Sequence, residues 1–406
     1  MKGRTVRMLS IRHTVQLCAI GAILAGCSGG ASAPSLSPAA SLNPSIGRSA
    51  TSARHSVGLG KILSSKSGAQ IFGFDVNRSG TDGLLATGND ATSDVETFDQ
   101  GSASITSSYP TKNPPGNSYK VDAIVAGDVG LVTRYVVPKG KIYAKRFYDI
   151  MNPVTAQKFT ASWKPPIKDI DILQAGVNQT KKKNAYFAIE LKNQDQPDVI
   201  IADVASSKPA KVFHLDPNLF GGGNGPQFDI DTGTDQGVIA LSPDGGAVGG
   251  AAPINVLIDL KTGKQTQFTG LNGGFYGSGY VNGLAVDSAT GMAATTTELN
   301  AQVEIYDLAK QTGIFAQLPC TGSSSQINSG AGVAADPVNH LFLVTEPYNA
   351  CGQGSALLVY DESANLVETI TGFQFAISEP APAINPTTRT GFAFGPHFSQ
   401  LQQFFY

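Results

Sequence analysis

The sequence predicts an all-β fold, a seven-bladed β-propeller of four-stranded antiparallel blades, and three observations carry the prediction. Long helical periodicities are absent; short runs rich in Val, Ile, Phe and Thr alternate with Gly, Asn, Asp and Pro. A unit of four such runs recurs near a 50-residue period. The last unit lacks one strand, and an unassigned strand precedes the first.

The clearest units span residues 283–319 and 332–373, with a weaker one at 237–270. Their third strands end in aspartate, and the ending recurs at Asp99, Asp149, Asp203, Asp259, Asp307 and Asp361, at spacings of 50, 54, 56, 48 and 54. Each aspartate is expected to open a tight turn by accepting backbone N–H groups further on, a structural role. First strands are expected to end before Ser242-Pro243, Asp287-Ser288, Asp336-Pro337 and Asn385-Pro386, at steps of 45, 49 and 49. The two units between Tyr119 and His214 are the least regular.

The seventh unit, 380–406, holds three strands and then the chain stops. A blade without its fourth strand exposes an unpaired edge, which natural sheets avoid. The segment 57–65, VGLGKILSS, is expected to supply it, so that both chain ends close the ring together.

Ahead of that strand lie other signals. Lys2, Arg4, Arg7 and Arg12 precede an apolar stretch over 15–25 that is too short to span a bilayer. It ends in Leu24-Ala25-Gly26-Cys27, which resembles the lipobox of bacterial lipoproteins. The resemblance implies a signal peptide over 1–26, lipid on Cys27 and permanent anchoring by several acyl chains. Ser28 follows, which in enteric bacteria favours the outer membrane. Residues 28–54 are nearly all Ser, Ala, Gly and Pro and read as a disordered tether, within a lipidated linker of 27–56 before a propeller of 57–406.

A net charge of −2 points to no nucleic acid or anionic membrane surface. The repeat resembles that of bacterial seven-bladed propellers of the YVTN and NHL-like kinds, a resemblance specific for architecture and weak for function. Cys320 and Cys351 fall on neighbouring loops of one face in an exported chain, and a disulfide between them is expected. That face gathers the longer loops, 215–236, 272–282, 297–302, 345–354, 377–380 and 395–400. Its candidate ligand residues are Tyr276, Tyr280, Asn282, Glu298, Glu346, Tyr348, Glu379 and His397.

No HExxH or CxxC motif is present, and no catalytic group is singled out. Asp229, Asp231 and Asp235 alternate around a glycine and offer a weak Ca2+ site; the competing reading is an acidic turn stabilised by its own side chains. Glu298, Glu346 and Glu379 come from successive units at similar offsets. In gluconolactonase-like propellers carboxylate and Asn ligands hold a divalent metal at the channel, and Asn282 with Glu346 or Glu379 is the corresponding candidate set. Two functions therefore stand: a membrane-tethered, non-catalytic module binding a protein, glycan or envelope component, or a metal-dependent hydrolase or lactonase.

Overall fold

A computed structural model describes residues 57–406 except 67, 89–91, 113–117, 127–128, 137–144, 156–169, 179, 191–195, 204–208, 218–225, 242–253, 270–280, 298–301, 320–331, 350–353, 375–380 and 395–398. The signal peptide, Cys27, the tether, Cys320 and Cys351 lie outside the described residues. The elements are antiparallel β-strands, and among the described residues there is no helix beyond a single helical turn residue at Pro217.

Seven sheets form the ring. Blade 1 runs β2 (Gln70–Val76), β3 (Asp82–Gly88), β4 (Thr92–Asp99) and β5 (Ser104–Lys112). Blade 2 has β6 (Ser118–Ala126), β7 (Val129–Val136) and β8 (Lys145–Met151) among the described residues. Blade 3 has β9 (Ile170–Asn178), β10 (Lys183–Glu190), β11 (Pro197–Asp203) and β12 (Pro209–His214). Blade 4 has β13 (Gln227–Asp231), β14 (Gln236–Leu241), β15 (Ile254–Asp259) and β16 (Gln265–Thr269). Blade 5 has β17 (Val281–Asp287), β18 (Met292–Thr297), β19 (Gln302–Asp307) and β20 (Thr312–Gln317). Blade 6 has β21 (Val333–Asp336), β22 (Leu341–Asn349), β23 (Gly354–Asp361) and β24 (Leu366–Ile370). Blade 7 joins β25 (Ala383–Asn385), β26 (Thr390–Phe394) and β27 (Gln400–Phe405) to β1 (Gly58–Ser64), in the order β1-β27-β26-β25.

Three C-terminal strands and one N-terminal strand thus share a sheet, as the missing seventh-unit strand predicts. The pairing is irregular: the register shifts between Leu59 and Ile62. Two glutamines of β27 repair the gap. Gln402 Nε2 donates to Gly60 O at 2.9 Å and Gln403 Oε1 accepts from Lys61 N at 3.1 Å. Gln403 Nε2 also donates to Gln100 O of blade 1 at 2.7 Å, which ties the closing sheet to its neighbour. Packing follows the same seam, where Phe98 of blade 1 meets Phe392 of blade 7 edge-on at 5.0 Å. Gly83 is required against the Phe98 ring, where a Cβ would lie 2.1 Å from it, and Gly391 against the Phe404 ring, at 2.2 Å.

Among the described residues, the first-to-second and third-to-fourth strand turns of a blade lie at one end of it, here the hairpin face. Backbone bonds tie the two turns together: Gln100 N to Thr81 O, Leu260 N to Asp235 O, Leu308 N to Gly291 O and Tyr406 N to Arg389 O. The terminal aspartates behave as turn openers. Asp259 accepts from Lys261 and Thr262 N–H, Asp307 from Ala309 and Lys310, and Asp361 from Ser363 and Asn365. Hydrogen bonds from Ser102, Thr262 and Lys310 hold Asp99, Asp259 and Asp307, respectively, below the usual carboxylate range.

Two turns depart from the predicted rulers. Asp149 lies inside β8 and is buried; the strand runs on to Met151, and Asn152 opens the turn by accepting from Val154 and Thr155. Blade 4 begins earlier than the weak repeat suggests. Leu241, before Ser242-Pro243, closes its second strand, and the first is β13, ending at Asp231. Innermost strands therefore end at Asp231, Asp287, Asp336 and Asn385.

Removing β27 would strip β1 of its partner. Deleting 400–406 is expected to abolish cooperative unfolding, and a truncated chain with an unchanged melt would contradict the closure. Gln403→Leu leaves Lys61 N–H and Gln100 C=O without a partner and should cost about 1–3 kcal/mol in denaturant unfolding.

Candidate functional site at the channel and loop face

The first site is axial. Blades 1 and 4 carry one tetrapeptide pattern on their innermost strands, Phe74-Asp75-Val76-Asn77 and Phe228-Asp229-Ile230-Asp231. An innermost strand has no partner on its channel side, so its outward N–H groups need acceptors. The two aspartates supply them identically. Asp75 accepts from Val76 N at 2.8 Å and, across the seam, from Val125 N of blade 2 at 2.7 Å. Asp229 accepts from Ile230 N at 2.7 Å and from Val286 N of blade 5 at 2.9 Å.

Burial raises both carboxyls, Asp75 to about 6, while the Arg78 cation pulls each back down. Asp75 is also raised by the charge of Asp229, three blades away. The Arg78 cation thus acts on carboxylates of two different blades, 1 and 4. Arg78 is exposed in the blade 1 hairpin, so the cation stands on the hairpin side of this pair. Sequence reading named Asp229 only as part of a calcium loop and missed Asp75 and Arg78. The repeated Phe-Asp-aliphatic-Asx pattern was the signal that could have found them.

The second site is in blade 6. Glu346 is fully buried on β22, and neither carboxylate oxygen has a hydrogen-bond partner. Strand alternation puts it on the face of Phe342 and Val344, which pack into the core shared with blade 5 through Val303, Ile305 and Leu318. It therefore lies within an interblade seam instead of opening on the channel mouth. Desolvation pushes its pKa up to about 7; the buried Tyr360 hydroxyl, which also lacks a partner, is raised by its own desolvation and, less, by the charge of Glu346.

Of the other loop-face candidates, Asn282 is half-buried on β17 and Tyr348 lies on β22, in a hairpin extended as far as the Asn349–Gly354 pair. Tyr276, Tyr280, Glu298, Glu379 and His397 lie outside the described residues, so the proposed convergence of three glutamates is not on view.

Asp229, Asp231 and Asp235 are not brought together. They span β13 and its hairpin, and each serves a different partner. Asp229 seals the channel edge. Asp231 accepts from Gly233 N and Thr234 Oγ1, and Asp235 accepts from Asn178 Nδ2 of blade 3 at 3.1 Å.

No family model matches the sequence, and no curated protein matches it. Solved structures do. U3-55K aligns with a TM-score of 0.58 at 10% identity over 85% of this chain and 98% of its own. The WD40 repeats of RRP9 align with a TM-score of 0.59 at 10% identity, covering 86% and 99%. Raptor of Chaetomium thermophilum aligns with a TM-score of 0.58 at 10% identity, covering 86% of this chain and 29% of that one. At such identity the likeness is one of fold: this is a seven-bladed propeller of the same architecture as WD40-repeat domains.

Glu346 makes a signed prediction. Its folded pKa lies above its unfolded value of 4.5, so stability is complete at acid pH and is lost as pH rises through about 7. Glu346→Gln should flatten that decline and exceed the native chain by about 3 kcal/mol near pH 8. Thermal melts across pH 5 to 8 measure it, and parallel pH profiles for the two proteins would contradict it.

Proposed function

We propose that this chain is an extracytoplasmic propeller held to a bacterial membrane by lipid on Cys27, working as a non-catalytic interaction module through its loop face. The observation that carries the reading is where the N-terminal strand joins the ring. β1 is the outermost strand of blade 7 and starts opposite Phe405, the hairpin-face end of β27. A tether preceding Val57 therefore attaches at the outer rim of the hairpin face. The loop face is the opposite end of the ring from Gly58.

The hairpin face supports the same division of labour. Its conserved-geometry turns spend their carboxylates and amides on holding blades together, as with Asn385, which donates to Gly80 O at 2.8 Å and to Gln100 Oε1 at 3.0 Å. The partner class is a protein, glycan or envelope component.

Two measurements test the reading. Cys27→Ser should move the protein from the membrane fraction to the soluble extracytoplasmic fraction; retention on the membrane would remove the lipid anchor from the account. A photo-crosslinking residue at Tyr276 should give adducts in intact cells, whereas one at Ala309 on the hairpin face should not. Adducts from Ala309 alone would reverse the assignment of faces.

A further inference from the structure

The seams between blades follow one rule on the hairpin face. Among the described residues, the innermost strands of blades 1 and 3 to 7 end at a buried Asn or Asp, Asn77, Asn178, Asp231, Asp287, Asp336 and Asn385, and two positions of the next blade reach back toward it. One is the left-handed residue that precedes the second strand: Lys182, Asp235, Gly291, His340 or Arg389, with φ of 53°, 61°, 75°, 56° and 51°. The other follows the third strand: Gln100, Leu260, Leu308, Glu362 or Tyr406.

The chemistry across these seams is complementary or apolar. Between blades 7 and 1, Asn385 donates to Gln100 Oε1 at 3.0 Å. Between 6 and 7, Tyr406 OH donates to Asp336 Oδ2 at 3.0 Å, with Arg389 over the Tyr406 ring at 5.4 Å. Between 3 and 4, Asn178 donates to Asp235, and Leu260 is buried beside them. Between 4 and 5, Leu308 is buried and Gly291 offers no side chain.

The seam between blades 5 and 6 breaks the rule. The position that is leucine in blades 4 and 5 and a hydrogen-bond donor in blade 7 is Glu362, and it faces Asp287, whose side chain is wholly buried. His340 Nδ1 lies 2.9 Å from Asp287 Oδ2, and one ligand atom from each of the three residues falls within 4.8 Å of the others. Among the described residues this is the one such group. Its members come from three separate turns, so sequence spacing alone could not show it.

Each ligand is already oriented. Asp287 Oδ1 accepts from Ala289 N at 2.8 Å, which leaves Oδ2 turned toward His340. Thr290 Oγ1 donates to Glu362 Oε1, which leaves Oε2. The left-handed backbone at His340 directs its ring across the seam. The buried Asp287 carboxylate faces both His340 and a second carboxylate, Glu362, and a cation held among the three would offset the repulsion between the two acids.

We propose that Asp287, His340 and Glu362 form a binding site for a first-row divalent transition cation of the Zn2+ class, which fastens blade 5 to blade 6. One imidazole and two carboxylates match the ligand preference of such ions, at about 2.0–2.2 Å, and disfavour the all-oxygen shell of Ca2+. His340 and Glu362 are partly exposed, so water completes the coordination. The role is structural, and the site is separate from the loop face.

The test is Zn2+ alone, titrated into chelator-stripped full-length protein and into Glu362→Leu and His340→Asn. Leucine restores the residue of blades 4 and 5, and asparagine tolerates the left-handed backbone. The native chain should take up one ion at this site and gain about 5 °C in melting temperature at saturation. Both variants should lose that uptake and that gain, and metal-free Glu362→Leu should melt at or above the metal-free native chain. Co2+ should give a visible ligand-field spectrum in the native chain that both variants abolish. Absence of uptake by the native chain, or equal uptake and equal gain in both variants, would overturn the site. If Glu362→Leu does not fold, Glu362→Gln serves in its place.

Discussion

A ring of sheets has no free end, so the antiparallel pairing of β1 with β27 bears a constraint that no other strand pair bears. Every other pair joins strands close in sequence and forms locally. This one joins the two ends of the folded region, and its loop-closure cost falls on the last step of ring assembly. The pairing is not a regular ladder. Its register slips at Leu59, and the glutamine side chains of Gln402 and Gln403 substitute for the missing backbone partners. Gln403 also reaches Gln100, so one residue binds the closing strand, its neighbour and the first blade.

The same logic of edges explains the channel. Innermost strands cannot be paired on the axial side, and blades 1 and 4 answer with Asp75 and Asp229, each accepting an N–H from the following blade. Burial makes those carboxylates reluctant to ionise, and Arg78 compensates both. A group recruited to seal a backbone edge thereby sets the charge of the axis. Glu346 shows the opposite case, a buried carboxylate with no partner at all, whose desolvation lends the fold a pH dependence near neutrality.

Periodicity made the architecture legible in the sequence. Short strands, a period near 50 residues and a truncated last unit were enough for blade number and closure, because each reflects a local pattern repeated many times. The failures were local too. Asp149 looked like its five counterparts, but β8 continues past it and Asn152 takes its place in the turn. Residues 229–235 suggested a calcium loop because alternating acids in a hairpin mimic one. In the fold they are the end of β13 and its turn, and Asp235 reaches back to Asn178 of blade 3. The electrostatic effect of Asp229 on Asp75, and the meeting of Asp287 with His340 and Glu362 across a seam, come from how the blades are set around the ring, which the repeat length alone does not give.

The central claim is that one non-covalent strand pairing makes seven blades a single cooperative unit. Native-state hydrogen exchange followed by mass spectrometry in rising denaturant tests it directly. Amides of β1 and β27 should open in the same transition as those of β10 and β14, on the far side of the ring. Exchange of β1 and β27 at low denaturant, with β10 and β14 still protected, would show that the blades hold together without the closing strand.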